Sequence, residues 1–288
     1  MTELFGRAWS LTIGTMDVSA FDIKFRVEKT FDPLPNKAVV EVYNLSEEHR
    51  GQLAQLAPGK TSIAKKKGKA APPILGQIPT RLEAGYGKDT ALIFLGDLRT
   101  VDTEKNEGDW ITTLTTGDAE KAYKSSRVNI SIGPKTSLKQ AMAAVLKTFG
   151  LGTGNLNKVV QQLQGGSSTL PRGAVLSGAS AKVLTDLCRS ADIEWSFQDS
   201  VPTFVNLGMA LDGRATKITA DTGMVGSPTV DANGIMKVKT LIIPNLRCGG
   251  LVVVDSEQVK GNYRVQKLTY SGSSFDQEWY CEIEANRY

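Results

Sequence analysis

Apolar and polar residues alternate with a period of two through the first part of the chain. In Phe21–Lys29 the side chains of Phe21, Ile23, Phe25 and Val27 share one face, the mark of an antiparallel strand with one buried side. Ala8–Gly14 alternates as well, and after breaks at Pro33 and Pro35 a strand resumes over Ala38–Leu45. Ser46 is placed to cap a short helix whose positive end suits Glu47 and Glu48. Leu53 and Leu56 give that helix one apolar side, and Pro58-Gly59 stops it. Strands return at Arg81–Tyr86, Leu92–Leu98 and Trp110–Thr116, with 103–109 as a polar hairpin turn. Six or seven antiparallel strands around one short helix predict a barrel or sandwich over 1–118.

The period then changes. Leu138, Met142, Val145, Leu146 and Phe149 fall at helical spacing behind a cap at Pro134–Ser137. Further helices are expected over 156–163 and from Ser180, as their cap, to Arg189. A short strand is expected over Ala174–Gly178, and a hairpin pairs 193–198 with 203–206 around Asp199-Ser200. Residues 119–214 therefore read as a small α+β insert. From 215 to 288 the chain is strands again, clearest over Ile235–Ile242, Leu251–Asp255, Gly261–Tyr270 and Glu278–Ala285. The expected architecture is mainly β with an α+β insert, two antiparallel β-barrels flanking it.

Composition excludes several classes. Lys and Arg number 34 against 30 Asp and Glu, a net charge of +4 that neither demands nor forbids a polyanionic partner. No apolar run approaches the roughly 18–20 residues of a membrane span, and the first residues lack a signal peptide's basic start and apolar stretch. A soluble protein kept without secretion is expected. Cys188, Cys248 and Cys281 are odd in number and widely spaced, so they read as small buried hydrophobes, not a disulfide frame or metal site. The single histidine, His49, lies in a polar helix start and is expected to be solvated. No cofactor and no metal site are written in the chain. Gly150, Gly152 and Gly154 follow a helix, whereas a dinucleotide loop follows a strand, so they read as a helix stop.

Two features invite a functional reading. Gly59–Lys69 holds five lysines in eleven residues, Lys60, Lys65, Lys66, Lys67 and Lys69, within a stretch over 59–79 without periodicity. It reads as a flexible excursion between strands, either a solvated loop or an electrostatic contact, and no aromatic residue interleaves it as in a single-strand binder. The carboxylates Glu47, Glu48, Asp118, Glu120, Asp192 and Glu194 are the candidates for a glycan-hydrolysing pair, which needs two about 5–10 Å apart. They sit at helix starts and strand ends, and Asp118 and Glu120 at the junction into the insert, where structural roles are expected.

The last segment carries a family likeness. Gly226-Ser227-Pro228, Ile235–Val238, Leu241–Gly249, Gly261–Gly272 and Trp279–Glu284, with Leu4–Arg7, Asp22–Val27 and Val42–Ser46 near the start, resemble the baseplate hub proteins of bacteriophage tails and related contractile injection machines. The resemblance implies a structural, non-enzymatic protein of the virion tail baseplate, assembled in the host cytoplasm. It implies a homotrimer of two tube-type barrels per chain, forming a pseudo-sixfold ring between the hexameric tail tube and the trimeric central spike. Wedge or tape-measure proteins are further expected partners, with DNA only in transit through the channel and no membrane. A hexameric tube adaptor and a glycan-binding or glycan-hydrolysing tail protein are the alternatives. The lysine-rich stretch is not part of the likeness.

Overall fold

The computed structural model describes residues 6–56, 78–163, 169–170, 172–211 and 213–288. The first part forms strands β1 (Arg7–Ile13), β2 (Met16–Asp17), β3 (Ile23–Thr30) and β4 (Lys37–Tyr43), then helix α1 (Glu47–Leu56), then β5 (Pro79–Tyr86), β6 (Asp89–Asn106) and β7 (Asp109–Gly117). The middle holds α2 (Glu120–Ser125), β8 (Arg127–Ile132), α3 (Leu138–Lys147), α4 (Leu156–Gln161), β9 (Ala174–Ala179), α5 (Ser180–Arg189), β10 (Ile193–Gln198) and β11 (Val201–Asn206). The last part forms β12 (Thr216–Ile218), β13 (Met224–Val230), β14 (Ile235–Leu241), β15 (Leu251–Asp255), β16 (Lys260–Ser273) and β17 (Trp279–Arg287). The fold is mainly β with few helices, and its strand pairs are antiparallel apart from β12 with β15. Among the described residues no helix is long and apolar enough to cross a membrane.

Both ends of the chain build one thirteen-stranded sheet. Its path runs β13-β14-β17-β16-β3-β4-β7-β6-β5-β1-β2, with β12 and β15 attached beside β16. Where the sequence predicts two barrels, the described strands close none. The reason lies in β16. Its first half pairs with β15 and its second half, after a bulge between Val265 and Lys267, with β3. One strand thus serves both ends, and the two strand sets run together in a single sheet.

The buried face of the sheet is the period-two face of the sequence. Ile23, Phe25 and Val27 of β3 join Val40, Leu114, Leu268, Tyr270, Trp279 and Ile283 in one apolar core shared by both ends; each such side chain stabilises by roughly 1.5–3 kcal/mol. The sheet curls so that β1 lies across the β16–β17 turn. Trp9 meets Trp279 edge-on at 6.3 Å, and the Arg7 guanidinium donates to the carbonyls of Ser273 and Gln277 at 3.1 and 3.0 Å. Gly272 allows this packing: a Cβ there would lie 2.4 Å from the Phe25 ring and 2.8 Å from that of Trp279.

Residues between Ala119 and Phe204 form a second core. Met142, Val145 and Leu146 of α3 pack with Leu184 and Cys188 of α5 and Trp195 and Phe197 of β10. Ser137 caps α3 with a reciprocal capping box to Gln140. Ser180 does not cap α5 as expected. Ala179 takes the cap position without a side-chain bond, and the Ser180 hydroxyl instead accepts from Thr148 at 2.8 Å. The stretch read as turn-rich, 226–234, contains most of β13, whose register shifts between Val225 and Thr229. That bulge, with Gly226 at φ +72° and Pro228 beside it, hides the strand's alternation.

Candidate functional site

The inserted segment meets the sheet at a buried polar centre. The β10–β11 hairpin turns at Asp199-Ser200, both at positive φ (54° and 64°), as a two-residue hairpin turn requires. Its tip enters the sheet's core side. Asp118 waits there, fully buried at the end of β7. Its carboxylate accepts from the backbone N–H of Asp199 at 2.9 Å, from that of Ser200 at 2.6 Å, and from Nδ2 of Asn36 at 3.1 Å. The same Asn36 amide donates to the Phe197 carbonyl at 2.7 Å, while its oxygen accepts from the Thr30 N–H at 2.8 Å. Burial pushes the Asp118 carboxyl up to about 6, against the pull of its hydrogen bonds.

A buried cation completes the centre. Lys29 of β3 follows Phe25 and Val27 on the core face, and its Nζ lies 2.7 and 2.8 Å from the two carboxylate oxygens of Asp199. Asp199 also accepts from the Leu95 N–H at 3.1 Å. A second tie lies alongside: Arg264 of β16, its side chain almost fully buried, pairs with Glu194 of β10. Such buried pairs cost desolvation, so their main effect is to fix one arrangement and to penalise loss of either partner.

The carboxylates considered for glycan hydrolysis are spread over separate places, Asp192 in the exposed turn between α5 and β10 at φ 54°. Asp118 and Glu194 hold the insert against the sheet, and Glu120 pairs with Arg99 and Lys124. Glu47 and Glu48 occupy the exposed first turn of α1, where the Ser46 hydroxyl accepts from the His49 N–H at 3.2 Å. His49 itself is half-buried, edge-on to Phe21 at 5.8 Å. All three cysteines are buried; burial raises every one of the three thiols, that of Cys248 to about 12. Among the described residues no cluster of His, Cys, Asp and Glu could hold a metal. Lys60, Lys65, Lys66, Lys67 and Lys69 lie outside the described residues.

Sequence reasoning placed Asp118 at the junction but missed Lys29, Asn36, Asp199 and Arg264. A signal existed for Lys29: the alternation that buries Phe25 and Val27 buries position 29 too, and a buried lysine needs a partner.

The other face of the sheet is open. Lys237, Lys239, Glu282, Arg26, Lys37 and Val39 are exposed on β14, β17, β3 and β4. Charges oppose one another along the rungs. Lys237 faces Glu284, which faces Lys267. Lys239 faces Glu282, and Glu28 faces Lys37. Glu28 lies 2.9 Å from Lys37 and 3.1 Å from Arg26, and Lys267 lies 3.5 Å from Glu284. Thr269, Ser271, Thr113 and Thr115 occupy the neighbouring positions of the same face.

The chain's fold is similar to that of a 43 kDa tail protein of a Shewanella oneidensis prophage, at 10% identity, with 98% of each chain covered and a TM-score of 0.64. A tail protein from Neisseria meningitidis matches at 8% identity, covering 98% of this chain and 96% of the other, with a TM-score of 0.65. An Escherichia coli component of the type VI secretion system, described as structurally similar to the T4 bacteriophage tail proteins gp27 and gp5, matches at 11% identity and a TM-score of 0.60, over 96% of this chain and 76% of that one. No curated protein matches in sequence. The profile of the baseplate hub gp41 family matches residues 11–285, nearly the whole chain. The chain therefore belongs to the baseplate hub gp41 family.

Proposed function

We propose that three copies of this chain form a pseudo-sixfold ring that joins the hexameric tail tube to the trimeric central spike, and that the open face of the sheet lines the channel through which DNA passes. The observation that carries this reading is the shared sheet. Each end of the chain contributes its own strand set, β1–β7 and β12–β17, joined through β3 and β16. Each set acts as one tube-type unit, so three chains supply six. The ring assembles in the host cytoplasm and resides in the virion tail, with wedge or tape-measure proteins around it.

The charge pattern supports a channel wall. Attraction of a polyanion grows with the number of unneutralised lysines and arginines that meet its phosphates. On the open face, Lys37, Arg26 and Lys267 each have a carboxylate within 3.5 Å, which lets DNA slide past without being held. The lysines at 60, 65, 66, 67 and 69 are proposed to reach a neighbouring ring or the channel; replacing all five by serine then lowers assembly or ejection, and unchanged infectivity refutes it.

Imaging of isolated tail tips tests the arrangement. Three copies of the chain around the axis, with β14, β17, β16, β3 and β4 facing the lumen, are expected. Six copies would make the protein a tube adaptor, and an outward-facing sheet would remove the channel role.

A further inference from the structure

A cleft of about 1100 Å³ opens between the inserted segment and the sheet, beside the Asp118 centre. Its walls come from β6, the β10–β11 hairpin, the start of α4, residues Leu211, Gly213, Arg214 and Thr216, and the loop 245–251. Arg214 and Arg247 line it, both exposed, and neither has an ion-pair partner among the described residues. Lys158 lines the cleft as well, while the two arginines supply its unpaired charge among the described residues. Asp199 is the one carboxylate among the described lining residues, and it is already held by Lys29 and the Leu95 N–H. The cleft is thus positive where it opens. Leu92, Leu211 and Leu251 add apolar surface to a wall that also carries Asn155, Gln198, Thr203, Thr216 and Asn245.

We propose that this cleft is a docking site for an acidic segment of a partner protein, one that carries apolar side chains between its carboxylates. Guanidinium groups bind carboxylates through two parallel hydrogen bonds, which gives direction as well as attraction. The leucines of the same lining reward a side chain that can leave water. The volume lies at or above the top of the roughly 300–1,000 Å³ of small-molecule sites, which suits a few residues of extended chain. Nucleic acid fits less well. No aromatic residue lines the cleft for bases to stack on, and three cations on a partly apolar wall give a phosphate backbone little to follow. The site is separate from the open sheet face, so it stands or falls independently of the ring.

The test is fluorescence anisotropy with the full chain and a labelled peptide, Gly-Glu-Leu-Glu-Glu-Leu-Gly. The wild type is expected to bind it, and the Arg214→Glu/Arg247→Glu double variant to bind at least about tenfold more weakly, since two charge-assisted pairs are lost. The double variant should instead gain binding of the peptide with each Glu replaced by Lys. Arg214→Ala/Arg247→Ala should weaken binding in the same direction by less, and guards against a folding defect in the reversed variant. Lys237→Glu/Lys239→Glu makes the same change in net charge on the open sheet face and should leave binding unchanged. The proposal is overturned if the wild type does not bind, if the sheet-face variant loses as much as the cleft variant, or if a ten-thymidine oligonucleotide competes for the arginines more strongly than the peptide.

Discussion

The molecule has two joins, and they are made of different material. Where β3 meets β16, the two ends of the chain are sewn together by a run of backbone hydrogen bonds from Lys267↔Thr30 to Ser273↔Lys24. One apolar core continues beneath that seam. Where the insert meets the sheet, the contact instead rests on a few polar groups: Asp118, Asn36, Lys29 with Asp199, and Arg264 with Glu194. The first join is part of the fold, since opening it exposes the shared core. The second is a latch on a unit with its own core, and its cost of opening is set by a handful of hydrogen bonds.

The largest expected effect comes from attacking the seam. Gly272→Val puts new carbons into the rings of Phe25 and Trp279. It should cost about 3 kcal/mol or more, at the upper end of overpacking, and lower the melting temperature of the whole sheet. A melting curve within a degree of the wild type would show that the seam is not central. Asp118→Ala attacks the latch. It leaves three donors without their acceptor and should cost about 2–3 kcal/mol. Hydrogen exchange should rise at Phe197–Ser200 while β3 and β16 stay protected, and exchange that rises equally in both would erase the distinction between the joins.

The mildest effect is one of pH. The Asp118 carboxyl is raised in the fold from 3.8 to about 6, so the fold binds its proton more tightly than the unfolded chain does. The resulting stabilisation is complete below about pH 4 and is lost as the pH rises through 6. Lys29 and Asp199 face the group from β3 and the hairpin tip; Lys29 opposes the shift and Asp199 adds to it. Measured against Asp118→Asn, the wild type should gain about 1–1.5 kcal/mol between pH 7 and pH 5. A difference that stays flat with pH would mean the carboxylate is better solvated than its burial implies.

Much of this fold is legible in local sequence. The period-two face of Phe21–Lys29 marks the core face of β3, and Leu138, Met142, Val145 and Leu146 mark the buried stripe of α3. What local pattern does not contain is who pairs with whom. The β3–β16 seam joins residues more than two hundred positions apart. Two alternating strand sets therefore look the same on paper whether they close separately or merge. Short or bulged strands escape for a different reason. β2 has only two residues, β12 three, and β13 loses its alternation at Gly226-Ser227-Pro228. At the latch, Asp118 is visible as a carboxylate at a junction, but its role depends on Asn36 and on the Asp199-Ser200 turn arriving from elsewhere in the chain.

The ring is tested most directly by the mass of the protein in solution, measured by light scattering on a sizing column, alone and with the spike protein as template. The account predicts a species of three times 31.0 kDa, formed by the free chain or on the spike. Six times 31.0 kDa would assign the chain to the tube side of the junction, and a chain still monomeric with the spike present would contradict the hub ring.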